Sequence, residues 1–187
     1  MSVKESIDKR WSPRAFSEKA IPKETLKEIL IDAGKAPSSR NEQPWSFIVG
    51  IKGEASYDKT VKALNEFNLK WAAKAPVIIL TFAKKTFARN GNPNRHALHD
   101  VGAFVAYLSL RAMEEDIYVH QMGGILPEEV HAEFDIPEDY ELVTAIAMGY
   151  LGDKNDLPED LRDSEKPESP RMGLNEFVYA EEWGKAF

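Results

Sequence analysis

A polar segment, Ala36-Pro37-Ser38-Ser39-Arg40-Asn41-Glu42-Gln43-Pro44-Trp45, lies between a predicted helix and a predicted strand. Its two prolines exclude a continuous helix, so the segment is predicted to be a loop. The residues between the prolines mostly donate hydrogen bonds or both donate and accept them. Such a loop suits the edge of a planar heteroaromatic ring with several hydrogen-bonding atoms, although a solvated turn would have the same composition.

The elements on both sides of this loop are well marked. Residues 22–33 are predicted to form a helix, because their apolar side chains recur at helical spacing. Pro22 suits the start of this helix and Gly34 suits its C-cap. The apolar run Trp45–Ile51 after the loop predicts a strand. The loop is therefore held between two regular elements.

Hydrophobic periodicity and turn residues predict the rest of the chain. Helices are expected over 3–10, 54–67, 95–115 and 127–134, and strands over 77–83, 117–122 and 142–151. We expect a mobile loop over 84–95, irregular structure over the acidic segment 153–170, and an extended piece over 175–179. This order predicts a single α+β domain over residues 1–187, with a central, mainly antiparallel sheet flanked by helices.

The long helix over 95–115 has almost no polar face between Val101 and Leu110. A helix that is apolar all round is buried on every side. In a chain of 187 residues, this predicts that the helix packs on the core on one side and on another subunit on the other.

Composition narrows the function classes. The net charge of −7 disfavours nucleic acid and anionic membranes as partners, and the absence of cysteine excludes disulfides and thiolate chemistry. The N-terminus has no apolar signal region and no apolar run is long enough to cross a bilayer. We therefore expect a cytoplasmic protein.

Charge is unevenly distributed along the chain. Residues 1–40 are rich in lysine and arginine, whereas residues 114–187 have few basic side chains, among them Arg171. The motif Arg10-Trp11-Ser12-Pro13-Arg14 places two arginines and a hydroxyl together, which suits a phosphate group. A solvated basic turn is the alternative.

Four segments together resemble the nitroreductase family of FMN-dependent oxidoreductases. They are Arg10 to Arg14, Ala36 to Trp45, the strand and turn His120-Gln121-Met122-Gly123-Gly124, and Pro170-Arg171 before Asn175-Glu176-Phe177-Val178. The resemblance covers nearly the whole chain. It implies a homodimer with FMN sites at the subunit interface and a C-terminal segment that extends to the partner.

The resemblance also implies roles for individual residues. Arg10, Ser12 and Arg171 would hold the FMN phosphate, while Arg14 would lie near the N1/C2=O edge of the flavin, assisted by Lys70. The other residues implied to bind the cofactor are Trp11, Pro37, Ser38, Ser39, Asn41, His120, Gln121, Met122, Gly123 and Gly124. Of these, Pro37, Ser38, Ser39 and Asn41 would reach the flavin of the partner subunit. The stretch from His120 to Gly124 would pass along the flavin ring, where a backbone N–H can reach N5.

The implied reaction is ping-pong: NAD(P)H passes hydride to the flavin, and a nitroaromatic, quinone or similar acceptor then takes it. No side chain is needed as a catalytic nucleophile, because the cofactor carries the chemistry. Trp11 departs from the small or polar residues common at its position. The short chain reduces the insertions that wall the substrate pocket in longer members.

Two other functions fit parts of the sequence. His96, His99 and Asp100 share one helical face and could bind a metal ion, although such histidines are more often solvated. A flavin-binding protein without turnover, acting as a store or sensor, would use the same cofactor residues as the enzyme. His120 could also act as a ligand or proton donor instead of making a backbone contact.

Overall fold

The computed structural model describes all 187 residues. Its strands are β1 (Trp45–Ile51), β2 (Val77–Lys84), β3 (Tyr118–Met122) and β4 (Tyr140–Gly149). Its α-helices are α1 (Val3–Lys9), α2 (Lys23–Ala33), α3 (Ala55–Lys62), α4 (Glu66–Ala72), α5 (Ala97–Met113), α6 (Pro127–Glu133) and α7 (Glu159–Arg162). The α+β class predicted from the sequence is confirmed.

The four strands form one sheet in the order β1-β2-β4-β3, and every neighbouring pair is antiparallel. Strand β2 is central and its residues Val77 to Ala83 are buried. Its mostly apolar sequence is explained by this position, because both faces of the strand are covered. The mainly antiparallel sheet is thus confirmed.

Alternate side chains of β2 serve two cores on opposite faces of the sheet. Ile78, Leu80 and Phe82 pack into one core with residues of α3, α4 and α6. Val77 and Ile79 pack into the other core with α2 and α5. The sheet therefore lies between two layers of helices, as period-two alternation requires.

Helix α5 buries one side against the sheet, where Val101, Phe104 and Leu108 are almost inaccessible to solvent. On the two flanks of this buried face, Leu98 and Tyr107 are about half exposed, at 50% and 46%. The predicted core contact is confirmed, and the contact with another subunit stays a prediction. No helix in the chain is both long enough and apolar enough to span a membrane.

The prediction of a single helix over 54–67 is wrong. The chain forms α3 and α4 instead, and the break falls at Leu64 and Asn65. The Asn65 side chain accepts a hydrogen bond from the backbone N–H of Asn68 at 3.0 Å, which caps the start of α4. Leu64 forms an isolated β-bridge with Ile125.

Other boundaries also differ from the sequence prediction. Residues 84–95 form a hairpin-like turn closed by a bridge between Thr86 and Pro93. The acidic segment 153–170 contains α7 and a short 3₁₀ turn over Lys154–Asp156. The extended piece expected over 175–179 is wrong at its start, because Leu174–Glu176 is a 3₁₀ turn.

Candidate active site

The loop that joins α2 to β1 has an unusual backbone. Arg40, Asn41 and Gln43 have φ angles of 56°, 57° and 49°, in the left-handed region that residues other than glycine seldom occupy. Each such residue costs about 1 kcal/mol or more. A loop that keeps three of them must be held by its surroundings.

Asp100 of α5 supplies the first of these restraints. Its carboxylate is buried and accepts the backbone N–H of Ser39 at 3.0 Å. Within the loop, the Ser38 hydroxyl accepts the backbone N–H of Gln43 at 3.0 Å. On the outer side, the carboxylate of Glu42 accepts the backbone N–H of Ala88 in the hairpin. The loop is therefore tied to two other parts of the fold.

The predicted cofactor residues of this loop lie at its surface. Pro37 and Asn41 are exposed, and Ser38 and Ser39 are half-buried. The loop thus presents small polar groups on a rigid backbone, which suits binding of a ring edge.

The basic motif begins where α1 ends. Arg10 is the C-cap residue of α1, and its backbone N–H bonds to the Ser6 carbonyl at 3.0 Å. Trp11 packs edge-on against Tyr118 with the ring centroids 6.4 Å apart. Ser12 is exposed. The bulky Trp11 therefore anchors the motif to β3, and Arg10 and Ser12 remain available to a ligand.

Arg14 is half-buried beside the segment that follows α7. Its backbone N–H is held by the Glu165 carboxylate at 2.8 Å, and its guanidinium lies 3.4 Å from the Ser164 hydroxyl. Its Nε is buried without a hydrogen-bond partner. Buried donors are normally satisfied, so this one has unused capacity for a ligand.

His120 on β3 points its side chain toward the basic motif. Its Nδ1 lies 2.8 Å from the carbonyl oxygen of Pro13, and its ring packs on Trp71 at 4.5 Å between centroids. Burial lowers the pKa of His120 below its ordinary value of 6.5, and the nearby Arg14 charge adds to this shift. The imidazole is therefore neutral near pH 7 and acts as a structural donor to the motif.

The turn after β3 is fixed by α4. The Gly124 carbonyl accepts the backbone N–H of Asn65 at 3.0 Å and the side-chain Nδ2 of Asn68 at 2.9 Å. A Cβ on Gly124 would lie 2.7 Å from that Nδ2, whereas a Cβ on Gly123 would meet open space. Gly124 is required by close packing, and Gly123 leaves room beside the exposed backbone.

Two residues predicted to bind the cofactor, Lys70 and Arg171, make no side-chain hydrogen bond to the other candidate site residues. Lys70 is exposed on α4, and its side chain makes no hydrogen bond or ion pair. Arg171 is exposed, and its guanidinium donates to the carbonyls of Ser169 and Pro170 at 3.1 and 3.0 Å. Their roles toward a cofactor stay predictions, as do those of Gln121, which is exposed, and Met122, which is buried.

The alternative metal site is not assembled. Asp100 is engaged with Ser39, and the His99 side chain is 84% exposed with its Nδ1 3.2 Å from Asp100. His96 lies beside Arg95, and the chain gathers no group of three ligands that could hold a metal ion.

Sequence reasoning missed three residues that shape the site. The sequence pattern indicates Asp100 only as a possible metal ligand, although its place in an apolar helix also suits a buried structural acceptor. Glu165 gives no comparable signal, because its partners Arg14 and Ala15 are 151 and 150 residues away. Asn65 is an N-cap for Asn68 three residues further on, but the apolar face over 54–67 favours one continuous helix in the sequence.

The model of the nitroreductase family matches residues 7–67 and 51–150, most of the chain. The chain belongs to the nitroreductase family. A solved structure described as an oxidoreductase containing FMN is 33% identical, with a TM-score of 0.91 over 98% of this chain and 93% of that one. A nitroreductase family protein from Clostridium difficile is 26% identical, with a TM-score of 0.74 over 97% and 99%.

Two curated relatives have more specific names. An NADH dehydrogenase of Thermus thermophilus is 26% identical in an alignment of length 183, and the alignment covers 80% of this chain and 87% of that protein. Iodotyrosine deiodinase 1 of Mus musculus is 28% identical in an alignment of length 127, and the alignment covers 54% of this chain. The match spans only 44% of the deiodinase.

Proposed function

We propose that the protein is an FMN-dependent oxidoreductase that takes hydride from NAD(P)H and reduces nitroaromatic, quinone or similar acceptors by a ping-pong mechanism. Family membership supports the general class. The similarity to a structure described as an FMN-containing oxidoreductase, at a TM-score of 0.91, supports the cofactor.

The unpartnered Nε of Arg14 is the single observation in the structure that carries the proposal. It is a buried donor within the basic motif, and the neighbouring Pro13 carbonyl is bonded to His120 of β3. A flavin offers ring acceptors for such a donor and a phosphate for nearby arginines. The donor set of this chain therefore fits FMN.

In the proposed site, Arg10, Ser12 and Arg171 bind the phosphate by charge-assisted hydrogen bonds. Arg14 places its positive charge beside the ring, where it stabilises the negative charge of the reduced state. FMN, when bound, supplies the hydride transfer from nicotinamide to acceptor. The Gly123 backbone would allow close approach to the ring, and the loop 36–45 of a second copy would orient and cover it.

We propose that a second copy of the chain completes the site. Loop 36–45 would contact the flavin of the partner, through Pro37, Ser38, Ser39 and Asn41. The C-terminal segment leaves large apolar side chains uncovered, with Trp183 93% and Phe187 85% exposed. Together with the half-exposed Leu98 and Tyr107 of α5, these groups would be covered by dimerisation.

Halogenated phenols are a second acceptor class. The similarity to iodotyrosine deiodinase 1 over 54% of this chain favours testing them. Reductive dehalogenation would use the same bound flavin and the same basic motif, so the two activities differ in the acceptor alone.

Steady-state assays of the purified, FMN-loaded protein test the proposal. Each nicotinamide is paired in turn with a nitroaromatic, a quinone and an iodinated phenol. We expect NAD(P)H oxidation that depends on the acceptor, with the parallel double-reciprocal lines of a ping-pong mechanism. A protein that binds FMN but supports no acceptor-dependent oxidation would be a flavin store or sensor.

A further inference from the structure

The peptide group between Pro13 and Arg14 is held at both of its ends. On one side, its carbonyl oxygen accepts a hydrogen bond from His120 Nδ1 at 2.8 Å. Because a carbonyl only accepts, Nδ1 must carry the proton. On the other side, the N–H donates to the carboxylate of Glu165 at 2.8 Å and 3.1 Å.

Glu165 holds the next peptide as well. Its Oε1 accepts the N–H of Ala15 at 2.8 Å, so one carboxylate accepts two successive backbone donors. The carboxylate comes from the segment after α7, 151 residues further along the chain than Arg14. Charge-assisted hydrogen bonds to backbone N–H groups are stronger than neutral ones.

These bonds use backbone groups and leave the Arg14 side chain free. Its Nε has no partner, and its guanidinium makes only a 3.4 Å contact with Ser164. Because the peptide groups on both sides of the Arg14 Cα are held, the guanidinium can move only by rotation about the bonds of its own side chain. Fixing the position of a charged group before ligand binding lowers the entropic cost of binding.

We infer that Glu165 is a positioning residue, which with His120 clamps the Pro13–Arg14 peptide and so sets Arg14 against the flavin. The inference rests on the proposed function. It assigns to the acidic C-terminal segment a role separate from phosphate binding or subunit contact: one of its carboxylates orders the arginine that faces the ring.

The test compares Glu165→Gln with Glu168→Gln, an exposed glutamate of the same segment without a hydrogen-bond partner. Glutamine keeps the shape but loses the charge that serves two donors. We expect the Arg14 and Ala15 amides of the FMN-free Glu165→Gln protein to exchange faster by NMR. We expect FMN to bind about tenfold more weakly, with a lowered midpoint potential. Glu165→Asp should recover part of each effect.

The outcomes separate the two proposals. If the wild-type protein binds no FMN, the proposed function fails, and the amide exchange still reports on the clamp. If the wild-type protein binds FMN and Glu165→Gln matches it in amide exchange, affinity and potential, the clamp is refuted while the proposed function stands. If only stability changes, with affinity and potential unchanged, Glu165 is structural and the inference is overturned.

Discussion

Replacing Asp100 with alanine should loosen the loop 36–45 and weaken FMN binding. The buried carboxylate accepts the Ser39 N–H at 3.0 Å. Removing it leaves a poorly solvated donor and a small cavity, at a cost of about 2 kcal/mol. The loop also stores strain in three left-handed residues, Arg40, Asn41 and Gln43. A loop with less restraint should relax toward other conformations.

This cost sets the size of the two expected effects. If binding requires the loop in its present form, 2 kcal/mol corresponds to a loss of up to about 30-fold in FMN affinity. The same free energy should lower the melting temperature by about 4 to 8 °C for a chain of this size. Flavin fluorescence titration measures the affinity, and differential scanning calorimetry measures the melting temperature.

Two variants make the Asp100 test specific. Asp100→Asn keeps an acceptor for Ser39 and should lose less affinity than Asp100→Ala. His99→Ala removes the other partner of the carboxylate, but that side chain is 84% exposed, so binding should be almost unchanged. Wild-type FMN affinity in Asp100→Ala would refute the reasoning that this contact holds the loop for binding.

Three further predictions concern other parts of the site. Arg171→Ala should weaken FMN binding roughly ten- to a hundredfold, and the exposed Lys166→Ala should not; equal affinities by titration would remove Arg171 from the site. Gly124→Ala should cost about 1–3 kcal/mol in urea unfolding, because its Cβ overlaps side-chain amides of the α4 cap. Gly123→Ala, in open space, should cost far less, and similar losses would contradict the packing argument. Because burial lowers the pKa of His120 in the folded state, the unfolded chain binds more protons just below pH 6.5. The free energy of unfolding should therefore fall as pH drops through this range, and it should fall less steeply in His120→Gln. The same pH dependence of unfolding in both proteins would contradict a lowered pKa of His120.

The architecture was predictable wherever burial leaves a regular pattern. The apolar run from Val77 to Ala83 indicated a central strand, and β2 is central with both faces covered. The stripe that includes Leu26 and Ile29 indicated a helix with one buried face, and both residues are buried in α2. Such patterns are local, because the spacing of apolar residues within one element shows which of its faces is buried.

The predictions that were wrong concern structure that depends on specific contacts and not on periodic burial. The α3–α4 break depends on the cap at Asn65 and on a bridge between Leu64 and Ile125. The hairpin over 84–95 depends on contacts such as that between Ala88 and Glu42. Interactions between distant segments leave no periodic signal in the sequence.

The candidate site likewise has parts that the sequence predicts and parts that it does not. The polar loop and the basic motif could be found from residue types alone, because ligand chemistry restricts which side chains are useful. The restraints on them could not: Asp100 holds Ser39 from another helix, and Glu165 holds Arg14 from the far end of the chain. Their carboxylates resemble any other carboxylate in an acidic sequence.

Titration of the purified FMN-free protein with FMN tests the central claim most directly, with molar mass measured by light scattering on the same sample. We expect saturable quenching of flavin fluorescence at one FMN per chain, on a particle of twice the 21.1 kDa chain mass. A protein that leaves flavin fluorescence unchanged, or that saturates with FMN as a monomer, would contradict a flavin site built from two copies of the chain.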